Sequence, residues 1–426
     1  MDRRVFLVLL LAGCTGPSAQ GPVPVTPTPT PRPPAPTPAP APPPSAPPPA
    51  GGLSFDVWRG QFRERAIAAG LPAAVVDREL VGLTPDDKVS SLDGRQPEFS
   101  KPVGDYIKGV ISDDRIAIGR RRRAELAFLP GLEQRFGVPR DILIAVWAME
   151  SGFGAIQGDF DVVRSMATLA ADGRRRTFAE DQLIAALRII ASGEFPRSRL
   201  RGSWAGAMGQ TQFIPSSFLS NAVDGDGDGR RDIWGSSADA LASAANLLAS
   251  GGWIRGQTWA REVVARDGFD YGLTEGPRET PAWWEQQGAR RADGLPWPAA
   301  DQNTPAQLLA PSGAGGPLFL LFPNHFAIRK YNNSAAYALG IGLLADRFGG
   351  GGPLTRAWPV ETPLGIADRI AAQQALAKLG FDPGAPDGVV GLNTRAQLRA
   401  WQKSQGLTAD GYLSLDMVRR LRTAAP

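Results

Sequence analysis

The sequence predicts a mainly α-helical chain with two folded units, and three observations point there. Ile142 to Met149 form an unbroken apolar run, greasy on every face if helical and therefore buried. Elsewhere apolar residues recur at helical spacing, separated by Gly- and Pro-rich loops, with few alternating strand patterns. Near the C-terminus a helical stretch followed by Asp-Gly occurs twice, with Asp387 and Asp410 23 positions apart.

Residues 1–13 combine a basic start, a short apolar run and small residues. They read as an export signal, too short to span a bilayer. Leu11-Ala12-Gly13-Cys14 resembles a bacterial lipobox, in which cleavage leaves Cys14 first and lipid-modified. Arg3-Arg4-Val5-Phe6-Leu7 also resembles a twin-arginine signal. Residues 14–52 are almost wholly Pro, Ala, Thr and Gly, with little to bury. They are expected to form a disordered, polyproline-like tether reaching on the order of 100 Å.

The first folded unit is expected over 53–350. Phe55, Trp58, Phe62, Ile67 and Leu71 open it with helical spacing, and further helices are predicted over 115–136, 178–192, 238–249 and 335–348. A linker, 351–362, leads to a small three-helix unit over 363–426. There a helix over 366–379 precedes Asp387-Gly388, Thr394 and Gln397 make a capping box, and Asp410-Gly411 precedes a last helix to Leu421.

The segment 141–150 starts after Pro139, with Asp141 as a candidate cap, and stops at Gly152 and Gly154. Its last helical residue, Glu150, then sits at the rim of a buried element. Desolvation and the negative end of the helix dipole both favour the protonated carboxyl, the state a general acid needs. The same pattern also fits a Glu that emerges into water as its helix ends.

Composition narrows the chemistry. The chain has one cysteine, Cys14, and one histidine, His325, so an internal disulfide, a Cys/His zinc site and a His-based nucleophile pair are not expected. Acid–base work would fall to carboxylates. A net charge of +4 gives no reason to expect nucleic acid as a partner. The arginine runs 120–123 and 174–176 read as solvated helix faces.

Four motifs together resemble the membrane-bound lytic murein transglycosylase B family. They are Glu150-Ser-Gly-Phe-Gly154, Ser203-Trp-Ala-Gly-Ala-Met-Gly-Gln-Thr-Gln-Phe-Ile-Pro-Ser216, Gly251-Gly-Trp-Ile-Arg-Gly256 and Arg329-Lys-Tyr-Asn332. The resemblance implies a lysozyme-like α(+β) catalytic domain over 53–350 with Glu150 as its single acid/base. It implies substrate contacts at Ser203, Met208, Gln212, Arg174, Arg175, Asn332 and Tyr337. The alternative for Met208 and Tyr337 is ordinary core packing, and for the arginines a solvated face. The second unit resembles a peptidoglycan-binding domain through Asp387-Gly388-Val-Val-Gly391-Leu-Asn-Thr394 and Trp401-Gln402.

Asp224, Asp226 and Asp228, with Gly229, Arg230 and Asp232, fit the first half of an EF-hand loop, but Gly235 stands where the closing Glu belongs. Some members of the resembled family carry a lengthened calcium loop here, in which Asp239 would close the site. A structural calcium ion and a metal-free acidic turn both remain open.

The expected reaction is cleavage of the β-1,4 bond between N-acetylmuramic acid and N-acetylglucosamine in peptidoglycan, leaving 1,6-anhydro ends, with no catalytic cofactor. The alternatives are a lysozyme-type hydrolase, using Asp159 or Asp161 as second carboxylate, and a non-catalytic wall-binding lipoprotein. Expected partners are glycan strands and a membrane, reached through the lipid at Cys14, with the protein itself a monomer. Thr15 after Cys14 suggests the periplasmic face of the outer membrane.

Overall fold

A computed structural model describes residues 54–94 and 101–425. The export signal, Cys14 and the tether lie outside the described residues. No described helix is long and apolar enough to cross a membrane.

The apolar run forms the helix Arg140–Ser151, and Ile142 to Ala148 are each at most 4% exposed. Helices Asp113–Glu125, Leu129–Phe136, Ser237–Ser250 and Ala335–Phe348 pack around it. Each fully buried Leu or Ile at this centre contributes about 2 kcal/mol through apolar burial. Asp141 does not cap the helix. Pro139 precedes it without a side-chain cap, and Asp141 lies in the first turn, paired to Arg123 at 2.6 Å. A negative charge there still complements the helix dipole.

The expected helix 115–136 is two helices. The first is Asp113–Glu125, and Pro130 in the opening turn of Leu129–Phe136 prevents one from running into the other. The arginine run on the first helix is absorbed locally. Arg120 donates to the Arg347 carbonyl at 2.8 Å, Arg121 and Arg122 pair with Glu125, and Arg123 takes Asp141.

A second core joins the helices Val162–Asp172 and Arg176–Ala191 to the opening helix Phe55–Ala68, whose Trp58 and Phe62 are buried. Between residues 260 and 321 lies an antiparallel five-stranded sheet that sequence patterning missed. Its spatial order is Arg278–Glu279, Ala306–Leu309, Leu318–Leu321, Ala260–Ala265, Ala289–Arg291. The central strand is apolar and buried at every position, so it carries no alternation to detect.

The last unit has helices Ile366–Lys378, Leu392–Ser404 and Leu415–Ala424 around Leu376, Leu398, Trp401 and Leu421. Thr394 does not cap the second of these. The residue before the helix is Gly391, and Thr394 is buried near the Gln373 amide at 3.4 Å. The repeat itself is real in structure. The Gln373 amide donates to Asp387 Oδ1 and accepts from Gly388 N, and Gln402 does the same with Asp410 Oδ1 and Gly411 N.

Candidate active site

Glu150 stands one residue before the end of its helix, where the chain must turn sharply. Gly152, Phe153 and Gly154 all take positive φ, at 57°, 63° and 83°. A Cβ at Gly154 would crowd the Gln210 amide and the Trp147 indole, so glycine is required there. Phe153 is the exception, at a cost of about 1–2 kcal/mol. Its N–H donates to the Trp147 carbonyl at 3.1 Å, and its ring meets the Trp147 indole edge-on.

This turn is tied to the second motif through Gln210. Ser151 Oγ donates to the Gln210 carbonyl at 2.5 Å and accepts from Gly154 N at 2.9 Å. The Trp147 indole donates to the Gln210 side-chain oxygen at 2.9 Å. The two sequence motifs are therefore one hydrogen-bonded unit, which fixes the backbone beneath Glu150.

The Tyr337 hydroxyl, from the first turn of Ala335–Phe348, donates to Glu150 Oε1 at 2.5 Å. Glu150 keeps part of its surface exposed, yet protein surrounds it densely. Burial pushes its pKa up to about 7, and the Tyr337 hydrogen bond opposes that rise by favouring the carboxylate. Tyr106 and Tyr331 complete an aromatic ring of neighbours. Burial, and the proximity of Glu150, raise the pKa of all three tyrosines, keeping their hydroxyls protonated. Tyr331 donates to the Thr211 carbonyl at 2.5 Å. Sequence reasoning missed Gln210, Tyr106 and Tyr331. Gln210 and Tyr331 both stood inside quoted motifs, whereas Tyr106 had no signal beyond an ordinary core aromatic.

The other expected contacts divide. Tyr337 is 4% exposed and bonds Glu150, so its polar end rather than its ring face serves the site. Met208 has no exposure and packs in the second core, between bridges to Gly202 and Phe213. Fully buried, it offers no face to a sugar. Ser203 Oγ accepts from Ala207 N at 3.0 Å and so closes the turn of its own motif. Gln212, at φ 50°, donates to the carbonyls of Gln157 and Gly209. Asn332 accepts from Ser334 N at 3.1 Å, shaping the entry to the Tyr337 helix. Arg174 grips the buried Asp93 from a side chain still 54% exposed, whereas Arg175 is buried beside Asp93 and over the Trp204 ring. The two arginines are thus not one solvated face.

Of the two expected second carboxylates, Asp161 is occupied. Asp161 caps Val162–Asp172 by accepting from Arg164 N and takes Arg197 at 2.7 Å. Asp159 is an exposed loop residue. His325 is fully buried against the Trp259 ring, with burial lowering its pKa to about 3, which fits a structural histidine.

In the acidic loop, carboxylate oxygens of Asp224, Asp226 and Asp239 lie within 4.8 Å of one another. Asp239 is fully buried and accepts N–H groups of Gly225, Asp226 and Asp232. Backbone N–H groups of Gly229 and Gly227 lower the pKa of Asp224, while burial raises that of Asp239. Three hard oxygen donors on a tight glycine loop fit calcium chemistry. The carboxylates of Asp228 and Asp232 do not join them. The Asp228 carboxylate accepts from Arg230 N, and Asp232 is neutralised by Arg199 at 2.8 Å.

These features define a class: helical proteins that present a carboxyl, held by a tyrosine hydroxyl, at the end of a buried helix. The chain belongs to the transglycosylase SLT domain family, which matches residues 54–346. Residues 366–421 match a putative peptidoglycan binding domain. Membrane-bound lytic murein transglycosylase B of Escherichia coli (strain K12) is 30% identical over 214 residues, 50% of this chain and 58% of that protein's length. The chain thus spans less than two thirds of that relative. SltB3 from Pseudomonas aeruginosa, solved in complex with NAG-anhNAM-pentapeptide, is 48% identical with a TM-score of 0.82, covering 87% of this chain and all of that one. The Escherichia coli lytic transglycosylase Slt35, solved in complex with calcium, is 25% identical with a TM-score of 0.59, covering 70% of this chain and 95% of that one.

Proposed function

We propose that this protein is a lytic murein transglycosylase. Its glycan substrate is the peptidoglycan strand, and Glu150 is its single acid/base. Glu150, protonated near neutral pH, gives its proton to the oxygen linking N-acetylmuramic acid to N-acetylglucosamine, and the bond to C1 breaks through an oxocarbenium-like state. The resulting carboxylate, steadied by the Tyr337 hydroxyl, then takes the proton of the muramoyl 6-hydroxyl as that oxygen attacks C1. The products are a 1,6-anhydro end and a free N-acetylglucosamine end, with no water consumed. The observation that carries this reading is the place of Glu150, at the end of the buried helix with its carboxylate bonded to the Tyr337 hydroxyl, where burial raises its pKa.

Arg174, half exposed beside Asp93, faces the stem carboxylates, Arg175 supports it from behind through Asp93 and Trp204, and Ser203, Gln212 and Asn332 act by fixing the turns that hold Thr211, Tyr331 and Tyr337. Asp224, Asp226 and Asp239 hold a structural calcium ion that pins the acidic loop. Residues 363–426 bind the wall, and a lipid at Cys14 with the tether 14–52 places the protein, as a monomer, on the periplasmic face of the outer membrane.

Mass spectrometry of soluble products after the purified protein digests peptidoglycan tests the reaction. Muropeptides one water lighter than hydrolysis products are expected. Reducing-end muropeptides would establish a lysozyme-type hydrolase instead.

A further inference from the structure

Glu275 bears a side chain where the backbone favours glycine. Among the described residues three non-glycines take positive φ: Phe153, Gln212 and Glu275. The first two lie in the motifs beneath Glu150. Glu275, at φ 59°, stands outside them, between the short turn Tyr271–Leu273 and the edge strand Arg278–Glu279. A left-handed backbone strains any residue with a Cβ and spares glycine, so such a position persists only where its surroundings hold it. Here the Glu275 N–H donates to the Leu308 carbonyl at 2.8 Å, which pins the turn to the sheet.

The strained turn delivers a carboxylate to arginines of both folded units. Glu275 Oε2 pairs at 3.1 Å with Arg395, from the helix Leu392–Ser404 of the last unit. Within the first unit the same charge acts on Arg329, from the helix Pro323–Tyr331. Burial lowers the pKa of Arg329, the Glu275 carboxylate opposes that fall, and the Arg278 guanidinium adds to it. One carboxylate is thus shared by a guanidinium on each side of the seam.

Arg329 leads on to the active site. Its guanidinium donates to the Asn333 carbonyl at 3.2 Å and to Asn333 Oδ1 at 2.8 Å. Asn333 sits in the short loop before Ser334, and Ser334 caps the helix Ala335–Phe348 by accepting from Tyr337 N at 3.3 Å. Tyr337 in turn holds Glu150. At the other end of the path the seam is able to give. It leaves a cavity of about 200 Å³ lined by Glu275, Arg395, Arg399, Asp410 and Tyr412, beside the Ala314 N–H that donates to Asp410 Oδ2 at 2.9 Å. Polar, incompletely filled seams of this kind allow folded units to shift against each other.

We propose that Glu275 couples the seating of the last unit to the posture of Tyr337 against Glu150, because Arg395 and Arg329 compete for its carboxylate. With the last unit seated, Arg395 takes up the charge and Arg329 stays on the Asn333 loop. With it displaced, the whole charge falls on Arg329 and draws it from that loop. Glu275 is a positioning residue, acting through Arg329 and Tyr337 and touching no reacting atom. The proposal rests on the reading of Glu150 as the acid/base and concerns what steadies it.

The test compares the full chain with Arg395→Met and with the double variant Arg395→Met, Glu275→Gln, following anhydro product released from soluble peptidoglycan fragments. Arg395→Met should lower kcat about fivefold with KM little changed, and its alkaline limb should move to higher pH, as a weakened Tyr337 bond requires. Adding Glu275→Gln removes the charge that draws Arg329, so the double variant should recover to within about twofold of the wild type. Arg395→Lys, which keeps the charge, should stay above Arg395→Met. Thermal melts check that each chain is folded, and Arg395→Gln carries the same comparison if the methionine variant is not. A merely structural ion pair gives no rescue, because the second substitution removes nothing further. An Arg395→Met variant with wild-type kcat, or a double variant no better than the single, overturns the coupling and leaves the reaction in place. A wild type that releases no anhydro product overturns the reaction and the proposal with it.

Discussion

Glu150 and the acidic loop hold carboxyl groups by opposite means. Around Glu150 the protein supplies apolar bulk and one hydroxyl, so the charge is poorly solvated and the pKa climbs to about 7. Around Asp224 it supplies backbone N–H groups, and the pKa falls below the ordinary value. Asp239 lies between them, accepting three N–H groups yet raised by burial. The first arrangement makes a group that can gain and lose a proton at neutral pH. The second makes fixed negative charge, useful for a cation and useless for proton transfer.

The largest expected effect comes from removing the exchangeable proton. Glu150→Gln keeps the shape but cannot release and retake a proton, so glycan cleavage should fall by about a thousandfold or more. A variant retaining a tenth of wild-type turnover would move the acid role elsewhere. The same substitution has a stability readout. An acid whose folded pKa is raised loses stability as pH rises through about 7, so the variant should gain on the wild type in thermal melts above pH 7 and match it below the ordinary Glu range.

Next is Asp239→Asn. It removes one charge from the three-carboxylate group and replaces an acceptor oxygen with a donor facing backbone N–H groups. Unfolding stability should fall by about 1–3 kcal/mol. Stabilisation of the wild type by added calcium should also disappear. Melting in the presence and absence of a chelator reads both.

Tyr337→Phe sharpens the Glu150 half of the comparison. The hydroxyl favours the carboxylate, so its loss should raise the Glu150 pKa further and carry the alkaline limb of the pH–rate profile to higher pH. Turnover should fall about tenfold, the worth of one hydrogen bond to a charged group. An alkaline limb that moves to lower pH would contradict the assigned direction.

Much of this was legible in the sequence, and for a physical reason. The run 142–149 is apolar on every face, and a helix with that pattern has only one place to go, so its terminal carboxyl had to meet desolvation. The Asp-Gly repeat was legible because tight turns constrain residue type locally. What sequence did not reveal depends on long-range partners. The strand 318–321 is uniformly apolar and carries no period, so it could not be told from a buried helix. Tyr106, Tyr331 and Tyr337 come from three separate helices, and only packing brings them to Glu150. Met208 was left between a sugar platform and a core residue because a motif reports that a residue matters, not which way it points, and its full burial favours the core. Asp232 was grouped with the loop by spacing alone, whereas Arg199, distant in sequence, claims it.

That last distinction yields the smallest and most discriminating prediction. Asp232→Asn keeps an oxygen to accept from Trp234 and Gly235 N–H groups and loses only the pairing with Arg199. A pair this exposed is worth about 0.5 kcal/mol, so the melting temperature should scarcely move. Calcium affinity, measured by titration calorimetry, should stay within about twofold of wild type, since no first contact to the ion is lost. Asp239→Asn in the same titration should show no calcium heat. If both substitutions weakened calcium alike, Asp232 would belong to the ion's own shell, and the division between a charge held for a cation and a charge held by an arginine would fail.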